Sequence, residues 1–376
     1  MRALVNILKY TVPILWILLL FIGTRDPISF FLSILAFYSI YLLLSISLNL
    51  EYGFTGIPNF GKVMFYAGGA FVTGALSSRL IAPFIGISWK YLEKFKTYNV
   101  IVSTQVSRFF MQRPDVGVSI FVLMLLLGVL IGAFLGLIAS YPAIRLREDY
   151  LGITLIASGE LLRIIARNYD PLIAGTYGVM VPDPFYWLSG ISHEIFRVGV
   201  MMSIAASTWI IVELLIKSPF GRMIRAIRDN ELAAEALGKD VVKVRMKVLM
   251  IGSSIAAIAG VLYAFYLGSV QPDDFMPIKS FIVWVMVILG GAGNNKGAAL
   301  GALLYLSIDR TIITLKNYLL VPFDVNNLAY IIIGCLFILV LMYRPEGLIP
   351  EKSGESIIKL SPKLLSKVKK NYNKSL

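Results

Sequence analysis

The sequence predicts an all-α fold, a polytopic membrane helical bundle of about ten transmembrane helices, with two breaks that read either as discontinuous helices or as tight turns. Three observations predict it. Only 15% of the 376 residues are charged, against roughly 25% in an average soluble domain. The apolar residues come in blocks, such as 30–50, 120–139 and 330–342, and ~20 such residues cross the ~30 Å hydrocarbon layer as a helix. Lys and Arg fall in the gaps between these blocks, as cytoplasmic loops do under the positive-inside rule. The net charge of +13 therefore does not form one basic stripe, and nucleic acid is not an expected partner. One cysteine (Cys335) and one histidine (His193) exclude a disulfide framework and leave almost no soft metal ligands.

Taken in order, the apolar run from Lys9 to Gly23 resembles a signal peptide but lacks a small-x-small cleavage site, so it reads as a retained first span. The expected spans are 8–24, 28–50, 62–78, 118–141, 150–167, 198–216, 247–268, 279–293, 297–315 and 328–343. Residues 217–247 carry an excess of Lys and Arg and are placed in the cytoplasm. Alternating sides then put both termini inside, including the Lys-rich tail 351–376. The same count puts residues 79–117 outside although they are rich in Lys and Arg; they read as an inserted loop within a transmembrane domain spanning 1–350.

Gly53, Gly56 and Pro58 interrupt the chain between the second and third spans, and Gly290, Gly291 and Gly293 end the eighth. Paired Gly/Pro breaks of this kind suggest discontinuous helices lining a pathway; two tight interfacial turns read equally well. Gly56 to Val63 fits G-x-x-x-x-G-K but ends in Val where a phosphate loop needs Ser or Thr, and Pro58 removes a backbone donor. Nucleotide binding there is rejected. Nothing resembles a catalytic constellation, so no catalytic residue and no metal site is expected.

Residues 218–247 are the most informative stretch. Ser218 is expected to cap a short helix with Pro219 in its first turn, and Gly238 to stop it. Asp240 then caps a helix entering the next span. Phe220, Ile224, Ile227 and Ala234 fall near one face, and Ala233, Ala234 and Ala236 would let a partner approach the bend closely; a plain interfacial amphipathic helix is the other reading. Within spans, Glu160 and Arg163 are spaced i,i+3 and can neutralise each other as an intramembrane pair that holds the bundle. Asp309 and Arg310 are adjacent and point in different directions, so they receive no role. Asp170, Asp183, Asp273 and Asp274 are expected in outer loops, and His193 in an exposed one.

Leu232-Ala233-Ala234-x-x-x-Gly238 resembles the EAA loop of ABC-importer permeases, with Leu232 where the wider pattern has Glu and Glu231 displaced by one. The stretch from Phe220 to Gly238 resembles the M-type permease of the branched-chain amino-acid ABC importer family. So do Ser47, Asn49, Gly53 and Gly56 with Phe60-Gly61; Asp149-Tyr150 through Arg163; Ala259-Gly260 with Tyr263; Gly290, Gly291 and Gly293; and Arg344-Pro345 with Gly347-Leu348. The resemblance covers about residues 45–75 and 149–348. It implies a permease subunit in the cell membrane that works as a hetero- or homodimer. Two ATPase subunits would carry ATP and Mg²⁺, no cofactor would be bound by this chain, and an extracytoplasmic binding protein would deliver the substrate. It further implies ATPase coupling through Arg228, Asp229, Glu231, Ala233, Ala234, Leu237 and Gly238. The implied pathway residues are Asn49, Gly53, Gly56, Phe60, Gly61, Gly290, Gly291 and Gly293. Aliphatic amino acids are the expected substrates; urea or amides, sugars, nucleosides and an ion-coupled carrier are the alternatives.

Overall fold

The computed structural model describes residues 26–146, 148–316 and 346–351, together with parts of 331–343. The expected span 8–24 and the tail after residue 351 lie outside the described residues, and span 328–343 lies only partly within them.

Helix α1 (Pro27–Leu48) starts under a side-chain cap from Asp26 and runs into a π-helical turn, Asn49–Gly53. Gly56 and Pro58 keep the next residues out of a helix until α2 (Lys62–Ile81) begins. The stretch expected as an inserted loop is largely helical: α3 (Trp89–Glu93) and α4 (Phe95–Gln112) fill it. Helix α5 (Pro114–Arg145) follows, then α6 (Glu148–Asn168), the single turn α7 (Asp170–Ile173) and strand β1 (Val179–Met180). Helix α8 (Gly190–Lys217) leads into α9 (Pro219–Asp229) and α10 (Glu231–Ala236). Last come α11 (Val241–Leu267), strand β2 (Ser269–Val270), α12 (Ile278–Gly290) and α13 (Asn295–Lys316).

Five helical stretches are long and apolar enough to cross a membrane: 27–53, 62–85, 114–145, 190–217 and 241–267. The count of ten is thus not reached among the described residues. Helix α6 carries Glu160, Arg163 and Arg167 in the span expected there, and α12 is only 13 residues long.

The core is built around α11. Gly128, Gly132 and Gly136 of α5 recur once per turn, and a Cβ at Gly132 or Gly136 would collide with the α11 backbone near Ser253 and Leu249. Gly69 of α2 meets Ala257 of α11 in the same way. Small residues let helices approach closely in a bilayer, where van der Waals packing replaces the hydrophobic drive. Ser254 Oγ adds a hydrogen bond to the Val129 carbonyl across the α5–α11 contact, 3.0 Å. On its other side α5 exposes Leu126, Leu130 and Phe134, as a lipid-facing surface does.

The two ends of the bundle differ. At one, β1 pairs antiparallel with β2, Val179 opposite Val270, and Ser103 of α4 donates to the Met180 carbonyl. At the other lie α9, α10 and both chain breaks. Residues 79–117 therefore sit at the end opposite 217–247, as alternating sides require despite their Lys and Arg content.

Candidate functional site

The first break is held from within by a buried ion pair. Glu51, in the π turn, is fully buried and its Oε1 lies 2.7 Å from Nζ of Lys62, which is 1% exposed. Lys62 also donates to Ser47 Oγ (2.6 Å), and Ser47 in turn to the Gly252 carbonyl on α11. Asn59 donates to Glu51 Oε2 (2.8 Å) and accepts from the Gly61 amide (2.9 Å), while Trp284 Nε1–H donates to the Asn59 carbonyl (3.1 Å). Phe60 stacks on Trp284 with ring centroids 4.3 Å apart. A buried ion pair of this kind persists only with supporting hydrogen bonds, and here these reach α1, α11 and, through Asn59, α12. Lys62, the lysine of the phosphate-loop lookalike, is thus already engaged.

The second break joins the first. Helix α12 ends at Gly290, and Gly291 and Gly293 carry φ of +116° and +78°, which a side-chained residue adopts only under strain. The Gly293 amide donates to Asn49 Oδ1 at 2.9 Å. Asn49 Nδ2 donates to Asn295 Oδ1 at 3.0 Å, and Asn295 Nδ2 to Glu213 Oε2 of α8 at 3.0 Å. A Cβ on Gly53 would strike the Gly293 amide nitrogen. The amides of Leu348 and Ile349 donate to the carbonyls of Leu289 and Gly290, tying residues 346–351 to the same place.

The surface segment 217–247 closes on both. Ser218 does not cap α9 with its side chain; its hydroxyl donates to the Leu215 carbonyl, so Pro219 alone sets the first turn. Ile224 and Ile227 are buried beneath α9, and Ala234 beneath α10. Asn230 caps α10 by accepting from the Ala233 amide, Gly238 turns the chain at φ +75°, and Asp240 caps α11 by accepting from the Lys243 amide. That amide and the Lys243 ammonium hold the Asp240 carboxyl below the usual carboxylate range. Arg228 reaches back from α9: its guanidinium donates to the Gly53 carbonyl and, at 2.9 Å, to Glu351 Oε2. It also pairs with Asp229 at 3.2 Å, and Glu231 pairs with Arg245 of α11 at 2.9 Å. A cleft of about 670 Å³ remains here, lined in part by Tyr52, Thr55, Gly56, Arg228, Glu231 and Arg245. Leu232, Ala233 and Leu237 face outward.

The structure thus brings the expected pathway residues Asn49, Gly53, Gly56, Gly291 and Gly293 together with Arg228. Phe60 and Gly61 stand apart, against Trp284 and Leu155. Glu160 and Arg163 do pair, and Arg163 pairs also with Asp273, so it ties α6 to the segment after β2. The outer acids are engaged internally as well: Asp170 by Lys96 and Asp183 by His193 at 2.8 Å, which places His193 on α8 and not in a free loop. Sequence reasoning missed Glu51, Asn59, Glu213, Asn295 and Glu351, and gave Lys62 no partner. Its available signal was a pair of opposite charges flanking one glycine-broken junction between apolar blocks.

The fold is thus a helical membrane bundle with two interlocked breaks beneath an exposed surface helix. Residues 30–341 match the family described as the permease component of the branched-chain amino acid transport system, and the chain belongs to that family. It is 37% identical over 324 residues to the probable branched-chain amino acid transport permease protein LivM of Methanocaldococcus jannaschii, covering 85% of this chain and 93% of that one. It is 26% identical over 336 residues to the high-affinity branched-chain amino acid permease LivM of Escherichia coli, covering 83% and 68%. With LivH of the same organism it shares 27% over 332 residues, covering 85% and 94%. No solved structure matches the chain.

Proposed function

We propose that this chain is the membrane subunit of an ATP-driven importer of branched-chain, aliphatic amino acids. In this reading it pairs with a second permease, homologous or identical, in the plasma membrane. The likeness to both LivM and LivH proteins supports related partners. Residues 217–247 and both termini face the cytoplasm. Two ATPase subunits, which carry the ATP and Mg²⁺, seat on α9 and α10, where Leu232, Ala233 and Leu237 offer an apolar docking surface. An extracytoplasmic binding protein delivers the amino acid to the opposite face.

The observation that carries this reading is Arg228, because one side chain of the docking helix holds the carbonyl of the helix break. Displacement of α9 by a closing ATPase dimer then pulls on Gly53 and, through Asn49 and Gly293, on both breaks at once. Such a rigid element with two arrangements is what alternating access requires. The chain would be purified with its native neighbours and reconstituted for uptake of radiolabelled leucine. An ATPase subunit is expected to co-purify and to be lost with Gly238→Asp, which blocks the bend and burdens a positive φ. Arg228→Ala is expected to keep the ATPase and its hydrolysis while uptake falls about tenfold or more, the loss of a charge-assisted hydrogen bond. A chain that purifies without any ATPase and moves leucine down an ion gradient would refute the proposal.

A further inference from the structure

Two arginines inside the bundle take no part in the network at the breaks. Arg197 lies on α8 and Arg310 on α13, and they flank a single aromatic pair. The guanidinium of Arg197 sits over the Tyr266 ring, 4.8 Å from its centroid, and that of Arg310 over the Phe37 ring at 4.1 Å. Phe37 of α1 and Tyr266 of α11 meet edge to face with centroids 5.5 Å apart. Four helices thus contribute one residue each. Two carboxylates accompany the cations. Glu194, one turn before Arg197, lies within electrostatic reach of Tyr266, and Asp309 Oδ2 lies 4.0 Å from Arg310 Nε. Lys279 of α12 lies within reach of Asp309.

A guanidinium within a span costs roughly 2.5–3.5 kcal/mol at mid-membrane and ordinarily finds an acid. Arg197 has none. Among the described residues it makes no ion pair, its Nε is buried without a hydrogen-bond partner, and its NH1 makes only a 3.5 Å contact to the Tyr266 carbonyl. The ring beneath it compensates in part. The cluster holds three cations and two carboxylates beside an aromatic surface, at the end of the bundle where α11 gives way to β2. That end is opposite the docking helix.

We propose that this cluster is a binding site for a zwitterionic amino acid with an apolar side chain, at the outer end of the pathway. The substrate carboxylate takes the unpartnered Nε–H of Arg197, its ammonium lies toward Glu194 and Asp309, and its side chain rests on Phe37 and Tyr266. A planar fork of donors suits a carboxylate, and aromatic faces supply apolar area without rotamer cost. An anionic lipid phosphate would satisfy Arg197 equally well, but it would leave Glu194 and Asp309 without the ammonium group that an amino acid brings. The proposal rests on the amino-acid import reading above.

The test uses the whole importer, purified with its native neighbours and reconstituted in liposomes, with radiolabelled leucine as the probe. Arg197→Gln is expected to lower leucine uptake about tenfold or more, the loss of one charge-assisted hydrogen bond. Assembly and ATP hydrolysis should persist, and Arg197→Lys should recover part of the rate. Phe37→Leu is expected to keep the fold and to change the ratio of leucine to alanine uptake. If Arg197→Gln prevents assembly, Arg197→Lys and Phe37→Leu decide, and wild-type uptake and selectivity in both overturns the site. Wild-type uptake by Arg197→Gln likewise overturns it. So does a phospholipid found by native mass spectrometry in the wild type and lost from Arg197→Gln. A wild-type importer that hydrolyses ATP but moves no leucine defeats the import reading itself, and the site falls with it.

Discussion

The two ends of the bundle use charge in opposite ways. At the end bearing α9 and α10, Glu51 and Lys62 are sealed from solvent and chained through Asn59, Ser47 and Trp284 to three helices. At the other end Lys96 and Asp170 pair at 3.0 Å with about half of each side chain exposed, and Arg113 pairs with Asp115 in the open. Exposed pairs contribute about 0–1 kcal/mol and yield to salt. A buried pair must be complete, because removing one partner leaves an uncompensated charge. One end is therefore held by a pair sealed from solvent, and the other by packing, a short sheet and pairs that keep some exposure, such as Arg163 with Asp273.

This contrast can be broken first at Lys62. Lys62→Met leaves Glu51 buried and alone, and should cost about 3–5 kcal/mol, read as loss of folded protein on size exclusion in detergent. Adding Glu51→Gln should restore much of it; if the single variant is as stable as the wild type, the pair does not hold the break. Next, Asn49→Ala strands the Gly293 amide and Asn295, and should cost about 1–3 kcal/mol in thermal unfolding. The smallest effect belongs to the other end: Lys96→Ala should change stability by less than about 1 kcal/mol and vanish in high salt. A Lys96→Ala loss as large as that of Asn49→Ala would mean that the two ends are held alike.

Much of the architecture was legible in the residue order. The apolar blocks at 28–50, 62–78, 118–141, 198–216 and 247–268 correspond to helices, because helix length and apolarity are local properties. Gly238, Asp240, Gly291 and Gly293 were legible as turns and caps for the same reason. The three glycines of α5 were also present in the sequence, but which helix they admit depends on α11, more than a hundred residues away.

What the sequence determined by itself is a membrane bundle with two glycine breaks and a basic surface segment between its spans, since each follows from composition over a few turns. Only the tertiary structure decided that the breaks are one site. Asn49 and Gly293 are 244 residues apart, and Arg228 and Gly53 175 apart. It also decided that Lys62 answers Glu51 and that Arg197 answers no acid among the described residues. A charge in a span is neutralised by whatever the packing of distant helices places beside it, and no window of sequence contains that neighbour.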